Sequence, residues 1–354
     1  MYPCLEIDLG KIRANAEKVC AVCEKQGIEV MGVTKSYCAI PEVIRVIQES
    51  GVKRFTDSRM QNIERLRQEG FDFPMMLLRI PMLSEVKDLV TFAQMSVNSE
   101  IETVRAISQE SVKQNKIHGI IVMIDIGDLR EGMWPDQVEN FVRECVELPG
   151  VEIQGVATNF ACFGGVLPRP KNTAMLCDAA DIISRITGKH DLMLSVGGTV
   201  AFELIEQGLM PAGINCLRIG EGITMGTDAS HEKEIAILAQ NTMQLAAEIV
   251  EIKVKPSVPI GEQGCDAFFC KPVFEDKGKR KRAVCAIGKQ DAAIERFTCK
   301  DAAVEVLGGS SDHLIVDVTE SEQEYKVGDI LRFSVDWSNM LRLTSSQYVN
   351  GKFI

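Results

Sequence analysis

A lysine, two glycine-bearing turns and an arginine carry the chemical interest of this sequence. Lys35 follows the apolar run Val30-Met-Gly-Val and precedes Ser36 and Tyr37. At the mouth of a barrel, packing and desolvation lower a lysine's pKa and make it a nucleophile or a base; a solvated loop lysine is the bland alternative. Ser195-Val-Gly-Gly-Thr199 and Arg218-Ile-Gly-Glu-Gly222 each follow an apolar run, and the first opens a helix. Glycine lets backbone N–H groups approach an anion, and a helix N-terminus adds a favourable partial charge. A phosphate-bearing aldehyde cofactor, held by a Schiff-base lysine, would use all three segments. Arg130, in Asp125-Ile-Gly-Asp-Leu-Arg-Glu-Gly132, can orient a carboxylate through a bidentate contact, or form a salt bridge within its own charged loop.

These residues need elements to hold them. Short β-branched or apolar runs occur at 28–33, 53–56, 75–79, 94–97, 119–125, 151–158, 192–195 and 215–219. Stretches of helical period alternate with them, at 11–25, 41–50, 59–69, 83–90, 99–115, 135–147, 172–187 and 200–207. Pro41 and Pro135 suit first-turn positions, where a missing N–H costs nothing. Such alternation predicts parallel β-α-β units, and eight of them fit a (β/α)8 barrel over residues 9–230, of the α/β class. An open doubly wound sheet is the rival. The active site of a barrel lies at the C-terminal ends of its strands, where Lys35, Arg130 and both glycine turns fall. After residue 230 the pattern changes. Residues 232–247 read as one helix or a long polar connection, and strand-like runs follow at 248–254, 282–287, 304–306, 314–318 and 330–335. This predicts an all-β domain over 231–354, joined by an N-terminal strand within 1–8. The basic run 276–282 reads as a solvated hairpin loop.

The chain has 354 residues, enough for a large barrel and a smaller domain. With 39 basic and 50 acidic residues its formal charge is −11, which argues against a nucleic-acid binder or an anionic-membrane binder. No signal peptide and no run of 18 apolar residues is evident. Twelve cysteines lie mostly in apolar runs, without the density of a secreted disulfide scaffold. A cytoplasmic protein with reduced thiols is expected. Cys20 and Cys23 have no second pair, so a zinc site is not expected.

The segments Val30-Met-Gly-Val-Thr-Lys35, 125–132, Asn215-Cys-Leu-Arg-Ile-Gly-Glu221, Lys255-Pro-Ser-Val-Pro-Ile-Gly-Glu262 and Ser310-Ser-Asp-His-Leu-Ile-Val-Asp317 together resemble fold-type III, pyridoxal-phosphate-dependent amino-acid racemases of the alanine racemase family, closest to the ornithine racemase branch. The resemblance implies a homodimer with shared active sites and pyridoxal 5'-phosphate as cofactor. It implies Lys35 as the Schiff-base lysine and Arg218 as the contact to the pyridine nitrogen. Thr199, Gly220, Glu221 (by its backbone N–H) and Tyr348 match phosphate ligands, and Asn159 falls where alanine racemases carry a histidine beside the ring. Arg130 matches an arginine that positions the cofactor's phenolic oxygen and the substrate carboxylate. Ser311 lies near a partner-chain contact to substrate, and Asp312 can pair with the distal ammonium of a diamino acid or serve simply as a turn residue.

Three positions depart from the family. Met123 stands where many alanine racemases have a carbamylated lysine, and Gly198 replaces an asparagine. Ile260 takes the place of the partner-chain tyrosine that moves the second proton. The segment Glu262-Gln-Gly-Cys-Asp266 therefore supplies the candidates Cys265 and Asp266, with Tyr37 or water as alternatives; a turn-capping aspartate and a buried thiol are the bland reading. Of the cysteines, Cys38 and Cys265 thus keep chemical interest. Ornithine is the expected substrate, with alanine or a broad range second, and a diamino-acid decarboxylase or a non-catalytic cofactor-binding protein as further rivals.

Overall fold

Strands buried on both faces organise the larger unit, Leu9–Gln240, of a computed structural model that describes all 354 residues. Strand β1 (Cys4–Ile7) belongs to the other unit, Met1–Asp8 with Asn241–Ile354. Then come β2 (Glu29–Val33), β3 (Arg54–Asp57), β4 (Met75–Leu77), β5 (Met95–Asn98), β6 (His118–Met123), β7 (Val151–Asn159), β8 (Met193–Gly197) and β9 (Cys216–Ile219), which close into a parallel barrel. Closure is explicit in register: β2 pairs with β9 (Val30 with Leu217, Gly32 with Ile219), so the open-sheet rival is excluded. All six residues of β6 are buried, as a strand covered on both faces requires. Met31, Met76, Met95, Val97, Ile121, Met123, Ala157 and Cys216 share one buried cluster. Methionine's flexible thioether fills such an interior well.

The surrounding helices follow from apolar spacing. Helix Leu9–Glu24 buries Ile12, Asn15, Ala16, Val19 and Cys23, one face at helical period. Helix Val138–Val146 buries Val138, Phe141, Val142 and Cys145 in the same way. Pro41 starts its helix as expected. The stretch 172–187 divides into Pro170–Thr173 and Met175–Thr187.

The predicted boundary at 230 lies ten residues short of the observed one. Residues 227–240 fold back on the barrel through a hairpin, β10 (Thr227–Asp228) and β11 (Lys233–Glu234), rather than forming a helix. Asn15 fixes that return, donating to Ala239 O at 2.9 Å and accepting from Ala239 N at 2.6 Å.

The second unit is a mostly antiparallel sheet. Its long strand β12 (Met243–Pro256) pairs with β1, with β13 (Lys279–Cys285) and with β16 (Ile330–Ser334); β14 (Glu305–Gly309) and β15 (Leu314–Asp317) extend it, and β17 (Asn350–Phe353) lies parallel to β1. Two expectations fail here. The half-helical reading of 232–247 misses that β12 starts at Met243, because Leu245, Ala246 and Ala247 are buried together and hide the strand alternation. The basic run is a loop only over 276–278: Lys279–Arg282 are ladder residues of β13, and Arg280 pairs with Asp317 on β15 at 2.7 Å. A helix at Trp337–Ser345, capped by Asp336 Oδ1 accepting from Asn339 N at 2.8 Å, was not expected. No helix is long and apolar enough to cross a membrane.

Candidate active site

The mouth of the barrel is built outward from Arg218 on β9, which is 3% exposed. A buried guanidinium must find acceptors, and this one finds four. Nη1 donates to Ser195 O at 3.0 Å and Ser195 Oγ at 2.7 Å; Nη2 donates to Thr158 O at 2.7 Å and Asn159 Oδ1 at 2.9 Å. Burial pulls its pKa down to about 10, so it remains a cation at neutral pH. Room for it depends on Gly197: a Cβ there would lie 2.2 Å from Asn159 Oδ1 and 2.3 Å from Arg218 Nη2.

The two glycine turns are tied to each other and to the lysine loop. Gly198 N donates to Arg218 O at 3.1 Å, and Gly222 N donates to Thr199 Oγ1 at 3.0 Å. Gly220 packs so closely on the end of β2 that a Cβ would lie 3.0 Å from Val33 O. Glu221 turns its carboxylate into the protein, accepting from Thr227 Oγ1 at 2.8 Å and Ala229 N at 2.9 Å. Burial pushes its pKa up to about 7.

Lys35 opens the single turn Lys35–Tyr37 just past β2. The residue before it, Thr34, is held by a buried carboxylate that sequence reasoning missed. Asp57, at the end of β3, accepts from Thr34 Oγ1, from Asn62 Nδ2 at 3.0 Å and from Arg59 N at 2.8 Å. Burial pushes Asp57 upward and these donors oppose the rise. The motif Asp57-Ser-Arg-Met-Gln-Asn62 was the available signal, but an aspartate before a helix reads as an ordinary cap. Beyond the lysine, Cys38 and Ala39 both take φ of 48°, held in part by Ala39 N donating to Thr34 O at 3.0 Å. Burial lowers the Lys35 pKa, and Cys162, Arg130, Asp57 and Glu131 act on its charge. Cys162, exposed just past β7, is a second member of the mouth that the sequence does not single out.

Arg130 reaches the same region. Its Nε and Nη2 both donate to the carboxylate of Glu131, and Glu131 Oε1 accepts from Asn159 Nδ2 at 2.9 Å. Lys35, Arg130, Asn159, Thr199, Arg218, Gly220 and Glu221 thus share one end of one barrel. Met123 is 1% exposed in the barrel core, an apolar packing position.

The remaining candidates lie in the other unit. Cys265 is exposed, not a buried thiol. Asp266 caps its own turn, Oδ1 accepting from Phe268 N at 2.9 Å and Cys270 N at 2.8 Å, and these bonds hold its pKa down. That weakens Asp266 as a proton acceptor. Ser311 and Asp312 are exposed in a turn, with Ser311 Oγ donating to Asp312 Oδ2 at 3.1 Å. Tyr348 is 55% exposed, and its backbone N donates to Ser346 Oγ at 3.0 Å. Tyr37, an alternative proton carrier, belongs to the barrel unit but is fully enclosed. Its hydroxyl has no hydrogen-bond partner, and burial beside Asp57 pushes the phenol well above its usual value.

Glu221 sets a pH dependence of stability. With a folded value near 7 against an ordinary 4.5, the folded state keeps a proton that the unfolded chain has released between those pH values. Stability therefore falls as pH rises across that window. Glu221→Gln should flatten this slope in Tm measured from pH 5 to pH 8 and should raise stability at pH 8 by at least ~1 kcal/mol.

Comparison with known proteins identifies the family. Residues 7–228 match the family described as alanine racemase, N-terminal domain. The chain is 40% identical to the ornithine racemase of Acetoanaerobium sticklandii over the whole of both chains. It is 39% identical to the lysine racemase of Thermotoga maritima, over 99% of this chain and 98% of that one. The solved alanine racemase of Clostridium difficile shares the fold at a TM-score of 0.77, with 20% identity over 99% of this chain and 95% of that one. The barrel with its separate sheet unit and the full-length likeness to two racemases lead to one assignment: the chain belongs to the alanine racemase family and is an amino-acid racemase.

Proposed function

We propose that this racemase uses pyridoxal 5'-phosphate and acts on a diamino acid, ornithine first. The observation that carries the cofactor is the Arg218 seat. A buried cation beside a strand end kept bare by Gly197, within reach of two joined glycine turns, suits a flat ring with an anionic tail. When bound, pyridoxal phosphate supplies the electron sink that makes an amino acid's α-proton removable. Arg218 would face the pyridine nitrogen as a lasting cation, which keeps that nitrogen unprotonated and favours simple proton return over side reactions. Thr199 and the backbone of Gly220 and Glu221 would hold the phosphate, with Asn159 beside the ring and Arg130 toward the substrate carboxylate.

Lys35 Nζ, which burial keeps readier to lose its proton than a surface lysine, would hold the cofactor and move the proton on one face. For the other face the capped, weakly basic Asp266 is the poorer of the two candidates, and Cys265 Sγ from a second copy is preferred. Residues 257–278 expose Ile260 (92%), Phe269 (93%) and Val273 (93%), apolar surface that supports pairing of two copies. Tyr348, Ser311 and Asp312 rest on the family resemblance alone. The relatives' substrates, ornithine and lysine, support a diamino acid over alanine. Twelve free thiols support a cytoplasmic location.

Three experiments test this reading. Addition of pyridoxal phosphate followed by borohydride should fix the cofactor to the peptide bearing Lys35. Lys35→Ala should abolish both the label and racemisation, and a label elsewhere would sink the assignment. In a panel of L-ornithine, L-lysine, L-alanine and L-serine, the first two should turn over fastest; equal rates for all four would refute a diamino-acid enzyme. Sedimentation should show a dimer, and Phe269→Glu should shift it toward monomer with loss of activity.

A further inference from the structure

We propose that Glu131 is a positioning residue: its carboxylate is the fixed anion that aims Arg130 and, through Asn159, braces Arg218. The inference rests on the reading that this mouth holds pyridoxal phosphate and an amino acid.

Residues adjacent in sequence seldom pair side chain to side chain. Here a turn makes it possible: Leu129 takes φ of 56°, and Asp125 Oδ1 accepts from Gly127 N at 2.9 Å and Leu129 N at 3.2 Å. Both nitrogens of one edge of Arg130 then donate to the two oxygens of Glu131, a charge-assisted fork. Glu131 Oε1 also accepts from Asn159 Nδ2 at 2.9 Å, while Asn159 Oδ1 accepts from Arg218 Nη2 at 2.9 Å. Asn159 therefore has its amide ends assigned by chemistry: the NH2 needs an acceptor and the carbonyl needs a donor. A neutral acceptor at position 131 would meet part of this demand, but it would not balance the charge of Arg130.

Two other groups act on Arg130, the exposed thiol of Cys162 and the carboxylate of Asp128. Asp128, the other carboxylate acting on Arg130, is buried and spent on Cys162 N, Phe163 N and Val166 N at 3.0, 3.0 and 3.2 Å. Beneath the loop, β6 contributes Met123 rather than a charge. The fork to Glu131 uses Nε and Nη2 of Arg130, so its Nη1 edge is the one presented to a ligand carboxylate. The side chains of the pair are only 28% and 23% exposed, which limits screening by water.

The test compares Glu131→Gln, which keeps size and one acceptor, with Glu131→Ala. The first readout is the dissociation constant of pyridoxal phosphate from the cofactor-free chain, followed by absorbance; the second is KM against kcat. Glu131→Gln should weaken cofactor binding and raise the substrate KM by about tenfold or more, with a smaller change in kcat. Acetate at tens of millimolar should restore cofactor affinity to Glu131→Ala but not to Glu131→Gln, whose side chain fills the space. Wild-type cofactor affinity and KM in Glu131→Gln would overturn the proposal, as would a folded, impaired Glu131→Ala that acetate does not rescue. Failure of the wild-type chain itself to bind pyridoxal phosphate would instead refute the reading on which the proposal rests.

Discussion

Burial of one guanidinium organises the barrel mouth. Arg218 cannot shed its proton cheaply, so the strands around it must supply oxygen atoms. Ser195 on β8 and Thr158 and Asn159 on β7 do so, and Gly197 must lack a side chain for them to reach. The same demand fixes the ends of three adjacent strands relative to one another. The glycine turns that follow β8 and β9 inherit that alignment, which is why Gly222 N meets Thr199 Oγ1.

A second buried charge does comparable work on the other side. Asp57 accepts only from donors, the arrangement a carboxylate requires, and one of them is the hydroxyl of the residue preceding Lys35. The lysine is thereby placed by a rigid neighbour rather than by its own flexible stem. Burial then lowers its pKa while Asp57 and Glu131 act in the opposite sense. The outcome is an amine less firmly protonated than a surface lysine, yet still held among counter-charges.

Much of this was legible before folding, and what was missed has physical causes. The barrel was readable because parallel strands buried on both faces produce apolar runs, and helices between them produce apolar faces. Lys35, Arg218 and the glycine turns were readable because strand ends in this fold point to one rim. Asp57, Glu131 and Cys162 were not, since their roles come from proximity across strands: Glu131 matters through Asn159, 28 residues away. In the sheet unit, Lys279–Arg282 were misread because charge was taken as a sign of loop, whereas Arg280 lies in the β12–β13 ladder opposite Lys255 and forms a salt bridge with Asp317 on β15. Residues 243–247 were misread because three consecutive buried residues hide a period of two.

The sign of the charge in the mouth also bears on ligand class. Lys35, Arg130 and Arg218 contribute three potential cations, and Glu131 is the one anion joined by hydrogen bonds to the arginine network. Asp57 and Asp128 are engaged with donors of the protein itself, and burial holds Glu221 near neutrality. Cationic side chains gathered at one rim favour anionic ligand groups. A phosphate and an α-carboxylate are such groups, which is the complement that an amino acid and a phosphorylated cofactor bring together. A distal ammonium would find no such welcome among these cations. Any discrimination between ornithine and alanine would therefore fall to residues outside the Lys35–Arg130–Arg218 cluster.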